Sequence, residues 1–344
     1  MDGTGRMRVE RVTLAHGGGG RAMRDLIEGV FTSVFQPPGG EDQARLMDSA
    51  LQEPGARLAF TTDSFVVTPI EFPGGDIGKI AVCGTVNDLV VGGARPLWLS
   101  VAFIIEEGTE IALLRRIAAS MQAEAESAGV RIVTGDTKVV ERGKGDGVFV
   151  TTAGVGVIPA GRDLGAARIR AGDAVLVNGF VGDHGAAILA ARGDMALDTD
   201  LVSDCAALGH LMEAVLAAAP DVHAARDATR GGLASALNEM AAEAAVAVEL
   251  DEACLPLRPE VRGMCEILGL DPLYLANEGT LVLFVPQEQA AAALAAMRSR
   301  PEGRDAVQIG LAKMGQSGRV TLRSPFGGAR IVDMLVGEQL PRIC

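Results

Sequence analysis

Short aliphatic extended runs and helical runs succeed one another along this 344-residue chain, with Gly- and Asp-rich turns at their ends. No other feature constrains the fold as much. Arg57 to Thr62 reads as a strand, and Phe65 to Thr68 continues extended. Pro96 to Ile105, Arg131 to Thr134, Val148 to Ile158, Ala174 to Val177, Val246 to Leu250 and Leu281 to Val285 read as strands too. Further strands are expected near Val307 and Arg319, and Ile331 to Val336 is strand-like. Arg21 to Phe35 reads as a helix, with Met23, Ile27 and Val30 at helical spacing. Asp76 caps a second helix carrying Ile80, Val82, Val86, Leu89 and Val90, which ends at Gly92-Gly93. Thr109 is expected to cap a third, Glu110 to Ala128, ended by Gly129. Ser203 is expected to cap a helix reaching Ala219. Leu233 to Ala245 and Gln287 to Arg298 complete the helical runs. The length suits two domains of ~100–200 residues each, and turn residues between Pro159 and Gly172 mark a boundary.

Composition narrows the function. Hydrophobic residues make up 48% and aromatics 3%, so cores are aliphatic and base-stacking platforms are lacking. A formal net charge of −13 repels a phosphate backbone, so no nucleic-acid partner is expected. A bound polyphosphate would need metal ions to supply positive charge. Met1 to Glu10 lacks the apolar core of a signal peptide, and no apolar run approaches the ~20 residues of a membrane span. The five cysteines, at 83, 205, 254, 265 and 344, are odd in number and form no C-x-x-C pair. A reducing, cytoplasmic setting fits them better than a disulfide framework.

The candidate functional residues fall in the turns and at the end of the chain. Cys344 is the last residue. Gly337 and Pro341 argue against a helix reaching it, so 337–344 reads as a mobile arm spanning roughly 26 Å at about 3.3 Å per residue. The alternative is a frayed end with a spectator thiol. The glycine run after His16, with Gly18 and Gly19 at its centre, lets backbone N–H groups approach a ligand, or it is a connector. Asp63 and Asp136 are strand-end acids, the second beside Thr137 and Lys138, although such acids are often caps. Asn87 and Asp88 sit among helix aliphatics, where each needs a partner, and ligand contact supplies one. Lys79 follows the Gly74-Gly75-Asp76 turn. Gly182-Asp183-His184-Gly185 is a second helix start. Arg226 to Gly232 offers glycines and two arginines to an anion at a helix start. Asn277-Glu278-Gly279 reads as a site or a polar turn.

In this order the motifs resemble the HypE family of hydrogenase maturation proteins, also called carbamoyl dehydratases. The resemblance rests on His16 to Gly20, Thr61-Thr-Asp-Ser64, Gly75-Asp-Ile-Gly78, Gly84 to Leu89, Gly92 to Pro96, Gly135 to Val140, Gly182 to Gly185, Arg226 to Gly232, Asn277-Glu-Gly279 and the Pro341-Arg-Ile-Cys344 end. It covers nearly the whole chain. Most of the glycine-and-aspartate motifs are shared with ATP-using relatives such as aminoimidazole ribonucleotide synthetase and selenophosphate synthetase, whereas the terminal Pro-Arg-Ile-Cys is specific to HypE. Ala228 stands where the pattern has proline, which loosens that turn.

The resemblance implies an α/β fold of two domains. The expected parts are an N-terminal segment and helix (1–36), an ATP-binding domain whose sheet pairs across a homodimer (37–160), a C-terminal α/β domain with helices on a mixed sheet (161–336), and a mobile tail (337–344). It also implies a reaction. A HypF-like carbamoyltransferase loads Cys344 as a thiocarbamate, and ATP with Mg²⁺ activates the amide oxygen. Dehydration leaves a thiocyanate, whose cyano group passes to iron on HypC/HypD-like scaffolds for [NiFe]-hydrogenase. Asp63, Asp88 and Asp136 are then the metal carboxylates and Asn87 is polar support. Gly18, Gly19, Lys79 and Thr137 lie at the nucleotide, and Lys138 stabilises charge on the activated oxygen. Glu278 is the base by resemblance, with Asp88 or His184 as alternatives. Competing readings are another small-molecule synthetase of the superfamily and a nucleotide-responsive scaffold with a docking tail.

Overall fold

The computed structural model describes residues 9–38, 43–193, 199–337, 340 and 342–344. Met1 to Arg8 of the expected N-terminal segment and Pro341 of the expected tail lie outside the described residues.

The first domain is a four-stranded sheet with helices on one face. Its strands are β1 (Arg57–Phe65), β4 (Arg95–Glu106), β5 (Arg131–Val140) and β6 (Val148–Ile158), in the order β1-β6-β4-β5. β2 (Glu71–Phe72) and β3 (Gly75–Asp76) form a small separate ladder. β4 and β5 are parallel and the other pairs of the larger sheet antiparallel. The helical N-terminal stretch is α1 (Arg21–Leu26), a π-helical segment Ile27–Thr32, and α2 (Ser33–Phe35). The covering helices are α3 (Ile77–Val91) and α4 (Ile111–Ala128). α3 is buried nearly all round, from Ile77 through Val90, because it lies between the sheet, α4 and the second domain. Asp76 caps it, accepting from the Lys79 N–H at 2.9 Å.

The second domain is a seven-stranded mixed sheet. Its strands are β7 (Ala174–Val177), β8 (Ala224–Asp227), β9 (Ala247–Asp251), β10 (Leu281–Val285), β11 (Val307–Lys313), β12 (Val320–Arg323) and β13 (Ala329–Val332), in the order β13-β12-β9-β11-β7-β10-β8. Its helices are α5 (Asp183–Arg192), α6 (Gly209–Ala218), α7 (Gly232–Glu243), α8 (Pro259–Leu268) and α9 (Ala290–Arg298). β7 and β10 are buried on both faces. Ala174, Leu176, Leu281 and Leu283 join the core shared with α6, α9 and the first domain, while Val175, Val177, Val282 and Phe284 pack with α7. Such strands read as continuous apolar runs rather than alternating ones.

Several expectations need correction. Thr109 does not cap α4: its hydroxyl turns back to the Glu106 carbonyl at 2.8 Å. Ser203 does not cap α6, which begins at Gly209, because the Ser203 hydroxyl meets His184 Nδ1 at 2.8 Å. The strand expected to stop at Thr134 continues to Val140, so Asp136 lies inside β5 rather than at its end. Asp63 likewise lies within β1. The last strand is Ala329–Val332, not Ile331 to Val336. α8 lies outside the helical runs read from the sequence, although Pro259 at its start and the buried Val261, Met264 and Cys265 form a helical stripe.

Candidate active site

A cleft of about 380 Å³ opens between the two domains. β1 contributes Thr62 to Phe65, α3 contributes Gly84 and Asp88, and the second domain contributes Arg226 to Glu239, Glu278 and the terminal Cys344. Gly84 has a local reason: a Cβ there would sit 3.0 Å from the Phe65 ring and 3.6 Å from Asp63 Oδ2. The loop carrying Glu278 is tied down by its own backbone. Asp204 accepts from the Glu278 N–H at 2.9 Å, the Gly279 N–H at 3.0 Å and the Thr280 hydroxyl at 2.9 Å. Gly279 must be glycine, because a Cβ would lie 1.8 Å from the Asp204 carbonyl oxygen. Asn277 completes the loop, accepting from the Gly182 N–H at 2.7 Å and donating to the Ala228 carbonyl at 3.0 Å.

The cleft is acidic and partly dry, which sets its proton chemistry. Glu278 is buried, and its Oε1 has no hydrogen-bond partner. Burial pushes its carboxyl well above the usual range, and Asp204, Asp227 and Asp63 push the same way. The Cys344 thiol beside it is the group that favours the ionised carboxyl. Burial in turn raises the thiol, with the Glu278 charge adding to the effect and Arg230 opposing it. The seated thiol therefore stays protonated at neutral pH and is a poor nucleophile there. Burial raises Asp88 to about 6, although the Thr61 hydroxyl donates to it at 2.7 Å. Asp63 is raised by burial, against the pull of the Ser64 N–H and Arg230.

The chain's end is seated in this cleft. Ile343 is buried, its carbonyl 2.7 Å from His184 Nε2. The Arg342 carbonyl accepts from the Thr68 N–H at 3.2 Å and from the Arg192 guanidinium at 2.9 Å. The Arg342 side chain pairs with Asp146.

The other expected site residues lie elsewhere in the single chain. Asp63 pairs with Thr152, Thr152 with Val101, and Val101 with Gly135. Three inter-strand steps of about 4.8 Å therefore put β5 roughly 14 Å away. The faces differ as well. Asp63 is on the α3 side, whereas Asp136 and Lys138 sit opposite Ala102 and the exposed Ile104. There Asp136 and Lys138 pair with each other at 2.6 Å, and the lysine holds the carboxyl below its usual range. Thr137 is buried opposite Phe103, lining a separate cavity with Phe31 and Asp136. Gly18 and Gly19 belong to the same region, since a Cβ on the neighbouring Gly17 would lie 2.9 Å from the Val139 Cβ on β5. Within one chain, then, Asp136 does not join Asp63 and Asp88, and no metal-holding group of three or more His, Cys, Asp or Glu side chains exists among the described residues. Asn87 is also not a free ligand. Its Nδ2 donates to the Ala206 carbonyl at 3.0 Å and its Oδ1 accepts from the Leu208 N–H at 2.8 Å. The Lys79 ammonium turns to the Gly74 carbonyl at 3.1 Å. His184 is unsuited to be the base, because both ring nitrogens are engaged and burial lowers it to about 4.

The chain matches the AIR synthase related protein family in two parts, its N-terminal domain over residues 40–158 and its C-terminal domain over 170–323. A relative from Rhodobacter capsulatus named carbamoyl dehydratase HypE is 75% identical over 338 residues, covering 98% of this chain and 99% of its own. This chain belongs to the HypE family. A crystal structure of the HypE maturation protein in complex with ATP superposes with a TM-score of 0.91 at 46% identity, covering 96% of this chain and 99% of that one. HypE in a HypE–HypF complex superposes at 0.78 with 45% identity, over 81% of this chain and 90% of that one. HypE proteins thus share this two-domain α/β architecture along essentially the full chain. Among the described residues no helix is long and apolar enough to cross a membrane.

Proposed function

We propose that this HypE chain is an ATP-dependent carbamoyl dehydratase of hydrogenase maturation that carries its substrate on Cys344. The observation that carries this reading is the terminal thiol lying against the buried Glu278 in an acidic interdomain cleft. A carbamoyl group enters as a thiocarbamate, R–S–C(=O)–NH₂. Its oxygen takes the γ-phosphoryl group of ATP, with loss of one N–H proton and release of ADP. The resulting imidate loses its second N–H proton and expels phosphate, leaving R–S–C≡N. Phosphorylation turns a poor leaving group into a good one, and Glu278 takes an N–H proton.

Magnesium fits as an ion that arrives with the nucleotide. Asp63 and Asp88 are the acids that would hold it, with Asp227 also lining the cleft. It would offset triphosphate charge and orient the phosphates. Arg230 supplies a protein cation in the same cleft.

The protonated seated thiol favours loading away from Glu278, on a HypF-like carbamoyltransferase. HypC/HypD-like iron carriers then accept the cyano group, as the family resemblance implies. The free thiol suits a cytoplasmic setting. The chain acts as a homodimer. β1 and β5 are the outer strands of the first sheet, and its uncovered face exposes Leu58 and Phe60 at 64% and 68%. Pairing β1 with a second copy's β5 would close both edges and bury that face. It would also set the second copy's β5, with the glycine run packed on it, directly beside β1 rather than three strands away.

The test is mass analysis of the C-terminal peptide after incubation of the full chain with carbamoyl phosphate, a HypF-type enzyme and ATP. The expected result is carbamoyl addition at Cys344, then loss of one water in step with phosphate release. Phosphate release that persists in Cys344→Ala would overturn the reading.

A further inference from the structure

His184 is a candidate for the base by motif, yet its geometry gives it different work. The ring is fully buried and meets Phe72 edge-on, with centroids 5.5 Å apart. Both nitrogens have partners, and the partners fix the tautomer. The Ile343 carbonyl, 2.7 Å from Nε2, can only accept, so Nε2 carries the proton. Nδ1 must then accept from the Ser203 hydroxyl at 2.8 Å. That hydroxyl accepts in turn from the Cys205 N–H at 3.1 Å. Every donor points the same way, from the Cys205 backbone to the last peptide of the chain.

We propose that His184 is the positioning residue that seats the C-terminal peptide, so that Cys344 presents its sulfur to Glu278. The Ile343 carbonyl belongs to the peptide plane from which Cys344 projects, and fixing it leaves only the final residue's own rotations free. The seat is rigid because Ser203 lies in the same segment as Asp204, which holds the Glu278 loop through the Glu278 and Gly279 N–H groups. One segment, 203–205, therefore sets the thiol and the carboxyl together. Arg342 shows how closely the end is held: it adopts φ of +55°, a conformation that side chains other than glycine rarely take without surrounding contacts. The seat itself does not depend on the dehydratase reading, although its effect on turnover rests on it.

The test compares two polar variants of the full chain. His184→Gln places an amide donor where Nε2 stands. His184→Asn can still accept from Ser203 but is too short to reach Ile343. Without ATP or any partner, iodoacetamide labelling of the C-terminal peptide is followed by mass spectrometry, separately from the exposed Cys254. Labelling of His184→Asn should be faster than wild type by roughly three- to tenfold, the weight of one hydrogen bond, with His184→Gln close to wild type. In the loaded enzyme His184→Asn should lower kcat and leave the KM for ATP unchanged. Equal labelling of all three proteins at unchanged melting temperature would overturn the seat, as would Gln labelling as fast as Asn. Altered labelling with no thiocyanate formed in any protein, wild type included, would support the seat and sink the dehydratase reading instead.

Discussion

Asp88 shows how one residue can weaken the fold to serve a site. Half-buried, with Asp227 and Asp63 nearby, its carboxyl holds its proton to about 6, against a usual value of 3.8. Below pH 3.8 the folded and unfolded forms are both protonated and nothing is lost. Between that value and about 6 the unfolded chain has released the proton while the folded chain keeps it, so stability falls as pH rises. Above about 6 the full penalty is present. Asp88→Asn removes the charge and keeps an oxygen to accept from the Thr61 hydroxyl. It should therefore stabilise the protein by about 1–2 kcal/mol at pH 8 and have little effect at pH 3.5. Urea unfolding at the two pH values checks this, and a variant less stable than wild type at pH 8 would count against the buried-charge account. The same substitution should abolish ATP-dependent turnover if Asp88 takes the metal-bound nucleotide. More stability with less function is the pattern expected of a site built from unfavourably placed charges.

At the scale of elements, the contact between α3 and the second domain rests on Asn87. Its amide satisfies a carbonyl and an N–H of the segment that also carries Ser203, Asp204 and Cys205. Asn87→Ala leaves both backbone groups buried without a partner, and should cost about 2–3 kcal/mol in thermal or urea unfolding. A cost below ~0.5 kcal/mol would show that water replaces the amide. The sequence signals that Asn87 needs a partner, since an amide among Val86, Leu89 and Val90 cannot stay unpaired. It does not reveal that the partner is backbone some 120 positions away. β5 reaches further than its sequence suggests for a similar reason. Gly135 and Asp136 look like a turn, but the glycine is there because a Cβ would lie 2.3 Å from the Val101 carbonyl of the neighbouring strand. The helices and most strands were legible because periodicity is local. The seat of the terminal peptide was not, because His184 and Ile343 are 159 positions apart. The family could be read from the order of short motifs, which survives without any knowledge of what each side chain touches.

For the whole molecule, the decisive fact is that the expected site residues fall into two groups within one chain. Asp63, Asp88, Glu278 and Cys344 line the interdomain cleft. Asp136 and Lys138 occupy the other edge and the other face of the first sheet. A monomer cannot join them without taking its sheet apart, whereas the proposed two-fold pairing sets the second copy's β5, which carries Lys138, beside β1. The proposed dimer therefore makes a prediction about where defects combine. Lys138→Ala and Glu278→Gln should each be inactive in thiocyanate formation when assayed alone. If Lys138 serves the other copy's cleft, mixing the two variants after subunit exchange creates dimers in which one cleft carries both defects and the other carries neither. Random exchange makes about half the dimers mixed, so activity should return to roughly a quarter of wild type, a level set by closed two-fold symmetry. If both residues serve the cleft of their own chain, every cleft in every mixture keeps one defect and no activity returns. The rescue depends only on which chain supplies which residue, and it can be read from phosphate release and the mass of the Cys344 peptide. Wild-type activity from a chain that stays monomeric at assay concentration would reject the shared site outright.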